Sequence, residues 1–471
     1  MTRRHPRTTW AIAAFVVCTS VGFATAQSDR QLPAEVREQI DQITEKSLMA
    51  TGVPSASLAV VKNSEVVYLR AYGSATLDPL AAARPDMRYS IGSISKQFTS
   101  TAVLMLADEN KLSLDDPVFR FLPTLTRAKE VTVRDLLAHT SGYQDYWPQD
   151  YVPPFMLLQV TPEDVLDRWA RKPLDFNPGT QWQYSNTNFV IAGRIVEKAS
   201  GIPLMEFLHR RIFKPLGMSS VADIDRGALK EPDATGYLRY GLGPHRVAPK
   251  EGKGWLYAAG ELAMSSHDLA KWDISMLSRA LLKPSSYNEM QTEILLKTGL
   301  RTRYGLGIGV GALWGHRTLQ HGGAVSGFTA ENIVFPDDGM AVVVLTNEMP
   351  AEAASDIAHN VAALFLTDPQ LLESKRKVAE AIFEKLQNGE IDRSLFTADA
   401  NNYFTEQAVK DFSSSLRSLG RPQEFLQTNK EDRGGMTFYA YRAKFNTTTF
   451  DVWVREMPDG KIEQYQLMAE P

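Results

Sequence analysis

Residues 89–98 read Tyr-Ser-Ile-Gly-Ser-Ile-Ser-Lys-Gln-Phe and place a serine, Ser93, three positions before a lysine, Lys96. A serine hydroxyl is a weak nucleophile near neutral pH unless a base lies within hydrogen-bond reach. Residues three apart on a helix share one face, so Lys96 is well placed to be that base. The apolar spacing of residues 98–107 predicts that a buried helix follows. The spacing alone is weak evidence, because it recurs in a charged segment at 374–377, and a helix N-terminus with a surface lysine is the alternative.

The first 26 residues have the pattern of a secretory signal peptide. Arg3, Arg4 and Arg7 precede an apolar run at 10–23, and small residues follow at 24–26. The run is shorter than the roughly 20 apolar residues of a membrane-spanning helix, and no second long apolar run follows. We therefore expect cleavage after residue 26, no stable membrane span in the mature protein, and a secreted or periplasmic location.

Composition argues against several classes of function. The net charge is −4 and becomes −7 without the three arginines of the signal, so we expect no nucleic-acid partner. Cys18 is the only cysteine and lies in the signal, which leaves the mature chain without a disulfide or a thiolate ligand. The eight histidines are dispersed, so we expect no metal site and no cofactor. The Gly-x-Ser-x-Gly elbow of an α/β-hydrolase does not occur.

The order of predicted elements indicates an α+β fold. A hairpin of two strands is predicted at 55–61 and 66–72, and a helix-rich middle follows it. Later elements are four strands and one helix, predicted at 304–310, 317–320, 327–335, 340–346 and 351–366. Strands near both ends, with helices between them, predict one antiparallel sheet flanked by helices and accompanied by a helical subdomain.

Changes in composition divide the chain into two predicted domains. The first covers residues 27–368, and a polar, charged stretch at 369–377 is predicted to be a linker. Residues 378–471 restart with helices and end in aromatic-rich strands, which predicts a small α+β accessory domain. This second unit has no visible catalytic constellation.

Tyr184 and Asn186 flank Ser185 in a loop that precedes an apolar helix. A tyrosine beside a serine and a lysine can act as a general base if nearby positive charge lowers its pKa. The amide of Asn186 offers both a donor and an acceptor, enough to brace the lysine and hold a substrate amide. A turn with a packed aromatic ring is the alternative if this triplet is taken alone.

His321, Gly322 and Gly323 are predicted to lie where a strand ends. Two glycines at that place let a substrate backbone lie against the strand edge. The backbone N–H of Ala324 would then join that of Ser93 to form an oxyanion hole. A glycine-rich strand connection with an incidental histidine is the alternative.

Together, three ordered motifs at 93–96, 184–186 and 321–323 resemble the serine beta-lactamase-related family. That family includes class C beta-lactamases, serine D-Ala-D-Ala peptidases and related esterases. Further stretches that resemble sequences typical of the family lie at 136–142, 213–218 and 304–307. The resemblance covers roughly residues 32–368, and it implies a beta-lactamase/transpeptidase-like fold.

The resemblance also implies a mechanism and a substrate class. Ser93 would attack a carbonyl and form an acyl-enzyme, while Lys96 and Tyr184 move its proton, with the tyrosine as the better-fitting base. Asn186 would orient the reacting groups, and the histidine and glycines of 321–323 would position the substrate. The implied protein is a secreted serine hydrolase of small-molecule or peptide amides or esters. A catalytically idle penicillin- or peptide-binding or sensor protein of the same fold is the alternative.

Three details qualify the resemblance. His321 stands where dedicated beta-lactamases favour lysine, which favours peptidase or esterase members. Residues 297–299 spell Lys-Thr-Gly, a triplet that many penicillin-recognising enzymes use as the third motif, but we interpret them as a helix C-cap. Glu261 stands where relatives usually have a small residue. It could alter the wall of the pocket, or it could be only a change at the surface.

The C-terminal unit resembles the nuclear transport factor 2-like cone fold. The resemblance rests on a helix, Phe396, a second helix and then long strands rich in aromatic residues. Modules of that kind bind ligands in a pocket or dimerise, so a homodimer through this unit stays open.

Overall fold

The computed structural model describes residues 32–433 and 435–469. The predicted signal peptide at 1–26, with Cys18, lies outside the described residues. Among the described helices, none combines the length and the apolar character needed to cross a membrane.

The described helices begin with one near the start of the chain, and most of the others lie in its middle or at the start of its last part. They are α1 (Ala34–Thr51), α2 (Ser95–Asp108), α3 (Val133–Leu137), α4 (Pro162–Val165), α5 (Asn186–Ser200), α6 (Leu204–Leu208), α7 (Tyr257–Gly260), α8 (Ser266–Ser278), α9 (Pro284–Met290), α10 (Ala353–Leu366), α11 (Pro369–Asn388), α12 (Ala398–Tyr403) and α13 (Glu406–Leu416).

The longer strands lie toward the two ends of the chain, with short ones between them. They are β1 (Ser55–Lys62), β2 (Glu65–Leu77), β3 (Leu80–Ala82), β4 (Tyr89–Ser90), β5 (Ala222–Asp223), β6 (Tyr237–Leu238), β7 (Arg246–Val247), β8 (Leu262–Met264), β9 (Gly309–Leu313), β10 (His316–Val325), β11 (Phe328–Phe335), β12 (Met340–Thr346), β13 (Glu424–Arg433), β14 (Met436–Lys444), β15 (Thr449–Glu456) and β16 (Ile462–Ala469).

The main sheet has seven strands in the order β3-β2-β1-β12-β11-β10-β9. β1 and β2 form a hairpin whose turn residues, Asn63 and Ser64, both adopt positive φ, as a tight two-residue turn requires. β12 comes from the far end of this unit and pairs antiparallel with β1, with Leu58 opposite Val344. The predicted antiparallel sheet assembled from both ends is therefore confirmed.

Helices cover both faces of this sheet, which is why its central strands are apolar without alternation. Leu58 and Val60 of β1 pack in a cluster with Ile357 of α10, while Ala59 and Val61 face a second cluster on the other side. Because successive strand residues point to opposite faces, both sets are buried only if both faces are covered. The predicted α+β fold with flanking helices is confirmed.

Helix α2 runs through the interior of the molecule. Its residues from Ser95 to Leu106 are all buried, and Phe98 packs against Trp272 with ring centroids 4.3 Å apart. A short 3-10 turn, Gly92–Ile94, leads into the helix and carries Ser93. The nucleophile candidate is thus held at the start of one of the most enclosed elements of the fold.

Several predicted boundaries were wrong. Residues 304–308 precede β9 and are largely irregular, whereas β10 continues through His321, Gly322 and Gly323 to Val325. The third motif therefore lies inside a strand and not at its end, because residues 319–325 stay paired with β11 in unbroken register.

The predicted linker at 369–377 was also wrong as a description of the backbone. These residues form the first half of α11, which Asp368 caps by accepting from two backbone N–H groups. The charged side chains that suggested a linker instead pair along the helix, as Arg376 does with Glu373 and Glu380. The division into two domains stays a prediction.

The last part of the chain contains a separate antiparallel sheet in the order β13-β14-β15-β16. Helices α11–α13 pack on it around a core that includes Phe383, Phe404 and Tyr465. This arrangement confirms a C-terminal α+β unit, and its likeness to the nuclear transport factor 2-like fold stays a prediction.

Candidate active site

Three hydrogen bonds surround the amino group of Lys96. Its Nζ lies 2.9 Å from Ser93 Oγ, 2.8 Å from Asn186 Oδ1 and 2.8 Å from the carbonyl oxygen of Ala259. The amide and carbonyl oxygens can only accept, so they occupy two N–H bonds of the lysine. A neutral amine has two N–H bonds and one lone pair. The lone pair of a neutral Lys96 would therefore point at the Ser93 hydroxyl.

The surroundings of Lys96 bring its pKa into the neutral range. The side chain is completely buried, and burial lowers the pKa to about 7 against the opposing effect of the Asp145 and Glu261 carboxyls. At neutral pH a substantial fraction of Lys96 is then uncharged. This is the state in which it can accept a proton from Ser93.

Tyr184 lies close to both Ser93 and Lys96. Its ring centroid is 5.0 Å from Lys96 Nζ, and its buried hydroxyl has no hydrogen-bond partner of normal geometry within the described part of the chain. Burial raises the pKa of Tyr184, and the nearby Ser93 hydroxyl lowers it by less. The phenol is therefore protonated at rest. The sequence reasoning favoured the tyrosine as base, whereas these pKa directions favour Lys96.

Asn186 begins helix α5 and is held by Asp145, a residue that the sequence reasoning missed. Asp145 Oδ1 accepts from the Asn186 backbone N–H at 3.0 Å, and both of its oxygens accept from Asn186 Nδ2 at 3.3 and 3.2 Å. This leaves the amide oxygen of Asn186 facing Lys96. Burial raises the pKa of Asp145 to about 6, so the carboxyl is mostly ionised at neutral pH.

His139 holds the loop that carries Tyr184. Its Nδ1 accepts from the Ser185 backbone N–H at 3.1 Å, and its ring contacts that of Tyr184 with centroids 4.2 Å apart and the planes tilted by 33°. Burial lowers the pKa of His139 well below its ordinary value, so the ring is neutral and Nδ1 can accept. In the sequence, His139 lies within the stretch 136–142, which matches the family but did not by itself indicate a role for the histidine.

The hydrogen bonds of His321 define its tautomer. Its Nδ1 lies 2.6 Å from the carbonyl oxygen of Gly322, which can only accept, so Nδ1 carries the proton. Nε2 then accepts from the hydroxyl of Tyr304 at 2.9 Å. Burial and the nearby Lys96 lower the pKa of His321 to about 4. The third motif thus presents a neutral imidazole at physiological pH.

Close backbone packing joins the nucleophile turn to β10. A Cβ at Gly323 would lie 1.9 Å from the carbonyl oxygen of Ile91, and one at Gly92 would lie 2.7 Å from the backbone nitrogen of Ala324. Gly92 also has a φ of 50°. Glycine at both positions lets the two segments touch, which brings the N–H of Ala324 close to the turn that carries Ser93.

These residues meet in one cavity of about 500 Å³. Its lining includes all of the predicted site residues except Lys96, namely Ser93, Tyr184, Asn186, His321, Gly322, Gly323 and Ala324. Lys96 lies directly beneath Ser93, to which it is hydrogen-bonded. Among the residues that the structure describes, no group of three or more potential ligands is arranged to hold a metal ion.

The competing triplet at 297–299 lies outside this lining. It forms a turn and not the predicted helix C-cap, because the preceding helix α9 already ends at Met290. The ammonium of Lys297 donates to the carbonyl oxygen of Pro178 at 2.8 Å. Its role is to brace a neighbouring loop.

Glu261 is buried, which removes the surface alternative. It is 3% exposed and lines a second cavity of about 310 Å³ together with Asp223 and Asp225. Burial and the neighbouring carboxyl of Asp223 raise the pKa of Glu261 well above its ordinary value. The raised pKa favours the uncharged acid, and the fraction that ionises raises the pKa of the nearby Lys96.

Comparison with known proteins identifies the family. The beta-lactamase family model matches residues 40–365. The chain belongs to the beta-lactamase family. This confirms the resemblance drawn from the three motifs, and membership supports serine hydrolase activity in general.

Individual relatives agree with this assignment. A D-aminopeptidase of Brucella anthropi is 30% identical over 335 residues, which are 70% of this chain and 62% of that enzyme. The match thus spans less than two thirds of the relative. A D-stereospecific amidohydrolase from Streptomyces sp. has a TM-score of 0.62 and 29% identity, covering 70% of this chain and 99% of that one.

The fold likeness extends further along the chain in another structure. The octameric penicillin-binding protein homologue from Pyrococcus abyssi has a TM-score of 0.65 and 22% identity. The match covers 92% of this chain and 100% of that one. At this identity the comparison shows a shared fold.

Proposed function

We propose that this beta-lactamase family member is a serine hydrolase that cleaves an amide or ester through an acyl-enzyme on Ser93. The observation that carries the proposal is the 2.9 Å contact between Lys96 Nζ and Ser93 Oγ, in a setting that lowers the lysine pKa to about 7. A nucleophile and a base within hydrogen-bond reach, with the base oriented by a third group, are the signature of nucleophilic catalysis.

The first step forms the acyl-enzyme. Ser93 Oγ attacks the carbonyl carbon while its proton passes to the lone pair of neutral Lys96, giving a tetrahedral oxyanion. The oxyanion collapses, the bond to the leaving nitrogen or oxygen breaks, and the leaving group takes up a proton. The protonated Tyr184 hydroxyl is placed to donate that proton and to recover one from Lys96.

The second step releases the acid. Water attacks the ester carbonyl of the acyl-enzyme, its proton passes to the base, and the bond to Ser93 Oγ breaks as that oxygen is reprotonated. The backbone N–H groups of Ser93 and Ala324 are the proposed donors to the oxyanion in both steps. The amide of Asn186 keeps Lys96 directed at Ser93 through the 2.8 Å bond.

Within the family, we propose a peptidase or esterase type over a dedicated beta-lactamase. The neutral His321 offers no positive charge to a substrate carboxylate, whereas a lysine at that position would. Two of the relatives carry the names D-aminopeptidase and D-stereospecific amidohydrolase, which agree with amide substrates.

Covalent labelling separates this proposal from an idle binding or sensor protein. Treatment with a fluorophosphonate, followed by intact-mass measurement, should add one adduct to the protein and none to the Ser93→Ala variant. Turnover of p-nitrophenyl esters and D-amino acid peptides would establish deacylation. An adduct without turnover would favour the idle alternative, and an adduct that survives Ser93→Ala would identify a different nucleophile.

We also propose export with cleavage after residue 26, on the arginine-rich and apolar pattern of the first 26 residues. The mass of the protein recovered from the extracellular or periplasmic fraction tests this. A mature chain beginning at Gln27 is expected, and retention of the arginine-rich segment would contradict the proposal.

A further inference from the structure

Two glutamates form part of the wall of the Ser93 cavity. Glu331 lies on β11, and Glu352 occupies the N-cap position of α10 without a capping hydrogen bond from its side chain. Neither carboxyl forms an ion pair or a side-chain hydrogen bond with any residue that the structure describes. Both are therefore available to a molecule in the cavity.

The two carboxyls influence one another. Burial, and then the charge of Glu352, raise the pKa of Glu331 to about 7. A carboxyl that resists ionisation beside a second carboxylate gains most from a positive charge placed nearby. No lysine or arginine of the described chain lines the cavity, and its one histidine is neutral.

Glu331 projects from the same face of the sheet as Gly322, the middle residue of the third motif. It pairs directly with Gly322 across β10 and β11, and a Cβ at Gly322 would lie 3.4 Å from Glu331 Oε2. The missing side chain at Gly322 thus leaves the carboxylate open along the strand that flanks Ser93. A substrate lying against this strand would pass the carboxylate.

A second feature of the cavity shows that it is built for a polar ligand. The hydroxyl of Tyr184 lies in the lining of the cavity, is buried close to Ser93, and has no hydrogen-bond partner of normal geometry among the described residues. A buried polar group without a partner is costly unless a ligand satisfies it. The cavity therefore offers a polar ligand the Tyr184 hydroxyl beside Ser93 and, elsewhere in the same lining, two carboxyls without a described side-chain partner.

We propose that Glu331 and Glu352 form a subsite that binds a positively charged group of the substrate, such as an ammonium, while its carbonyl is held at Ser93. This inference rests on the proposed function and deepens it by naming the substrate class. It also disfavours substrates whose recognition depends on a carboxylate, because that group would be repelled by the negative charge that the two glutamates carry.

A binding experiment on the Ser93→Ala variant tests the subsite without requiring turnover. The probes are 4-(trimethylammonio)butyramide and 6-(trimethylammonio)hexanamide, each compared by calorimetry with its uncharged carbon isostere, 5,5-dimethylhexanamide and 7,7-dimethyloctanamide. We expect at least one cation to bind about tenfold more tightly than its isostere, which corresponds to about 1.4 kcal/mol. Equal or weaker binding of both cations would overturn the subsite.

Substitution identifies the groups responsible. In the Ser93→Ala background, Glu331→Gln and Glu352→Gln should each reduce the ratio of the two affinities, and the double variant should abolish it. Glu45→Gln, an exposed glutamate on α1, is the matched control and should keep the ratio. A ratio that survives the double substitution would overturn the assignment of these residues.

The p-nitrophenyl esters of the same acids connect binding to catalysis in the protein with Ser93 intact. The cationic esters should have the higher kcat/KM, after division by their uncatalysed hydrolysis rates. A binding preference without acylation of Ser93 would refute the proposed function and keep the subsite. Turnover through Ser93 without any preference for the cation would refute the subsite and keep the proposed function.

Discussion

Asp145 fixes the orientation of Asn186 by accepting from both its backbone N–H and its side-chain amide. The carboxylate cannot donate, so the amide nitrogen of Asn186 must face it and the amide oxygen must face Lys96. Asp145 thereby acts on the proposed base in two ways. It positions the oxygen that holds Lys96, and its charge raises the lysine pKa.

Two substitutions at Asp145 should separate these effects. Asp145→Asn keeps an acceptor and removes the charge, so the pKa of Lys96 falls and the rise of kcat/KM with pH moves to lower pH. Asp145→Ala removes both, and we expect kcat to fall by about tenfold, or about 1.4 kcal/mol, which is the worth of one lost hydrogen bond. Steady-state rates on a p-nitrophenyl ester from pH 5 to 9 check this. Identical pH profiles for the two variants would contradict the two-part role of Asp145. Asp86→Asn, at an exposed position, is the control and should leave the profile unchanged.

The pKa of Lys96 predicts the pH dependence of the protein without substitutions. Lys96 must be uncharged to accept the Ser93 proton, so kcat/KM should rise with pH and reach half its plateau near pH 7. Lys96→Arg keeps a permanent positive charge and should lose activity by about 10²–10⁴-fold, the usual contribution of a general base. A profile that stays flat from pH 5 to 9, or an active arginine variant, would argue for another base.

His321 should remain neutral through the physiological range. Its pKa of about 4 means that the ring takes up a proton only below about pH 5. Nitrogen-15 spectra of labelled histidine should show one ring protonated at Nδ1 that does not titrate between pH 5.5 and 8. The signal should vanish in His321→Asn, which assigns it. Titration near the ordinary histidine value would contradict the tautomer read from Gly322 and Tyr304.

The local sequence was enough to predict the sheet and the order of the motifs. Alternating or continuous apolar runs gave β1, β2 and β12, since burial on one or both faces leaves that pattern in the chain. The apolar pattern does not indicate β13, because its sequence, Glu-Phe-Leu-Gln-Thr-Asn-Lys-Glu-Asp-Arg, is mostly polar, as suits the edge strand of the C-terminal sheet.

The parts of the site that were missed depend on contacts between distant residues. Asp145 lies 41 positions from Asn186, and no local pattern links the two. The pKa of Lys96 follows from its complete burial, which motif spacing does not report. For the same reason the sequence favoured Tyr184 as base, while its burial keeps the phenol protonated.

The contact between Gly323 and Ile91 predicts that alanine is far more destabilising at Gly323 than at the neighbouring Gly322. Gly323→Ala would place a Cβ 1.9 Å from a backbone carbonyl oxygen, so the nucleophile turn or β10 must move. We expect a loss of about 1–3 kcal/mol in the free energy of unfolding, typical of overpacking, and slower labelling of Ser93 by a fluorophosphonate. Gly322→Ala is the matched control for stability, since its new Cβ would meet the end of the Glu331 side chain at 3.4 Å and the carbonyl oxygen of Ala330 at an ordinary contact distance of 3.8 Å. Equal thermal midpoints for the two variants would refute the close packing.

Glu261 should make the protein less stable as the pH rises. Its pKa is raised in the folded protein, so above the ordinary value near 4.5 the unfolded chain releases a proton that the folded chain keeps. The free energy of unfolding then falls with pH between the two pKa values, by up to about 1.4 kcal/mol per pH unit. Glu261→Gln has the same shape and no proton to lose, so its stability relative to the unsubstituted protein should increase from pH 5 to pH 8.

Urea unfolding of both proteins at several pH values measures this difference. The Glu45→Gln variant is the control, because an exposed glutamate with no partner among the described residues should give a difference that does not change with pH. Glu261→Gln removes the titrating proton without changing the size of the side chain, because the amide fills the space of the carboxyl. Its nitrogen can take the place of Oε2, an oxygen that has no described partner. A difference that stays constant from pH 5 to 8 would mean that Glu261 is already ionised in the folded protein, and its carboxylate would then act directly on Lys96.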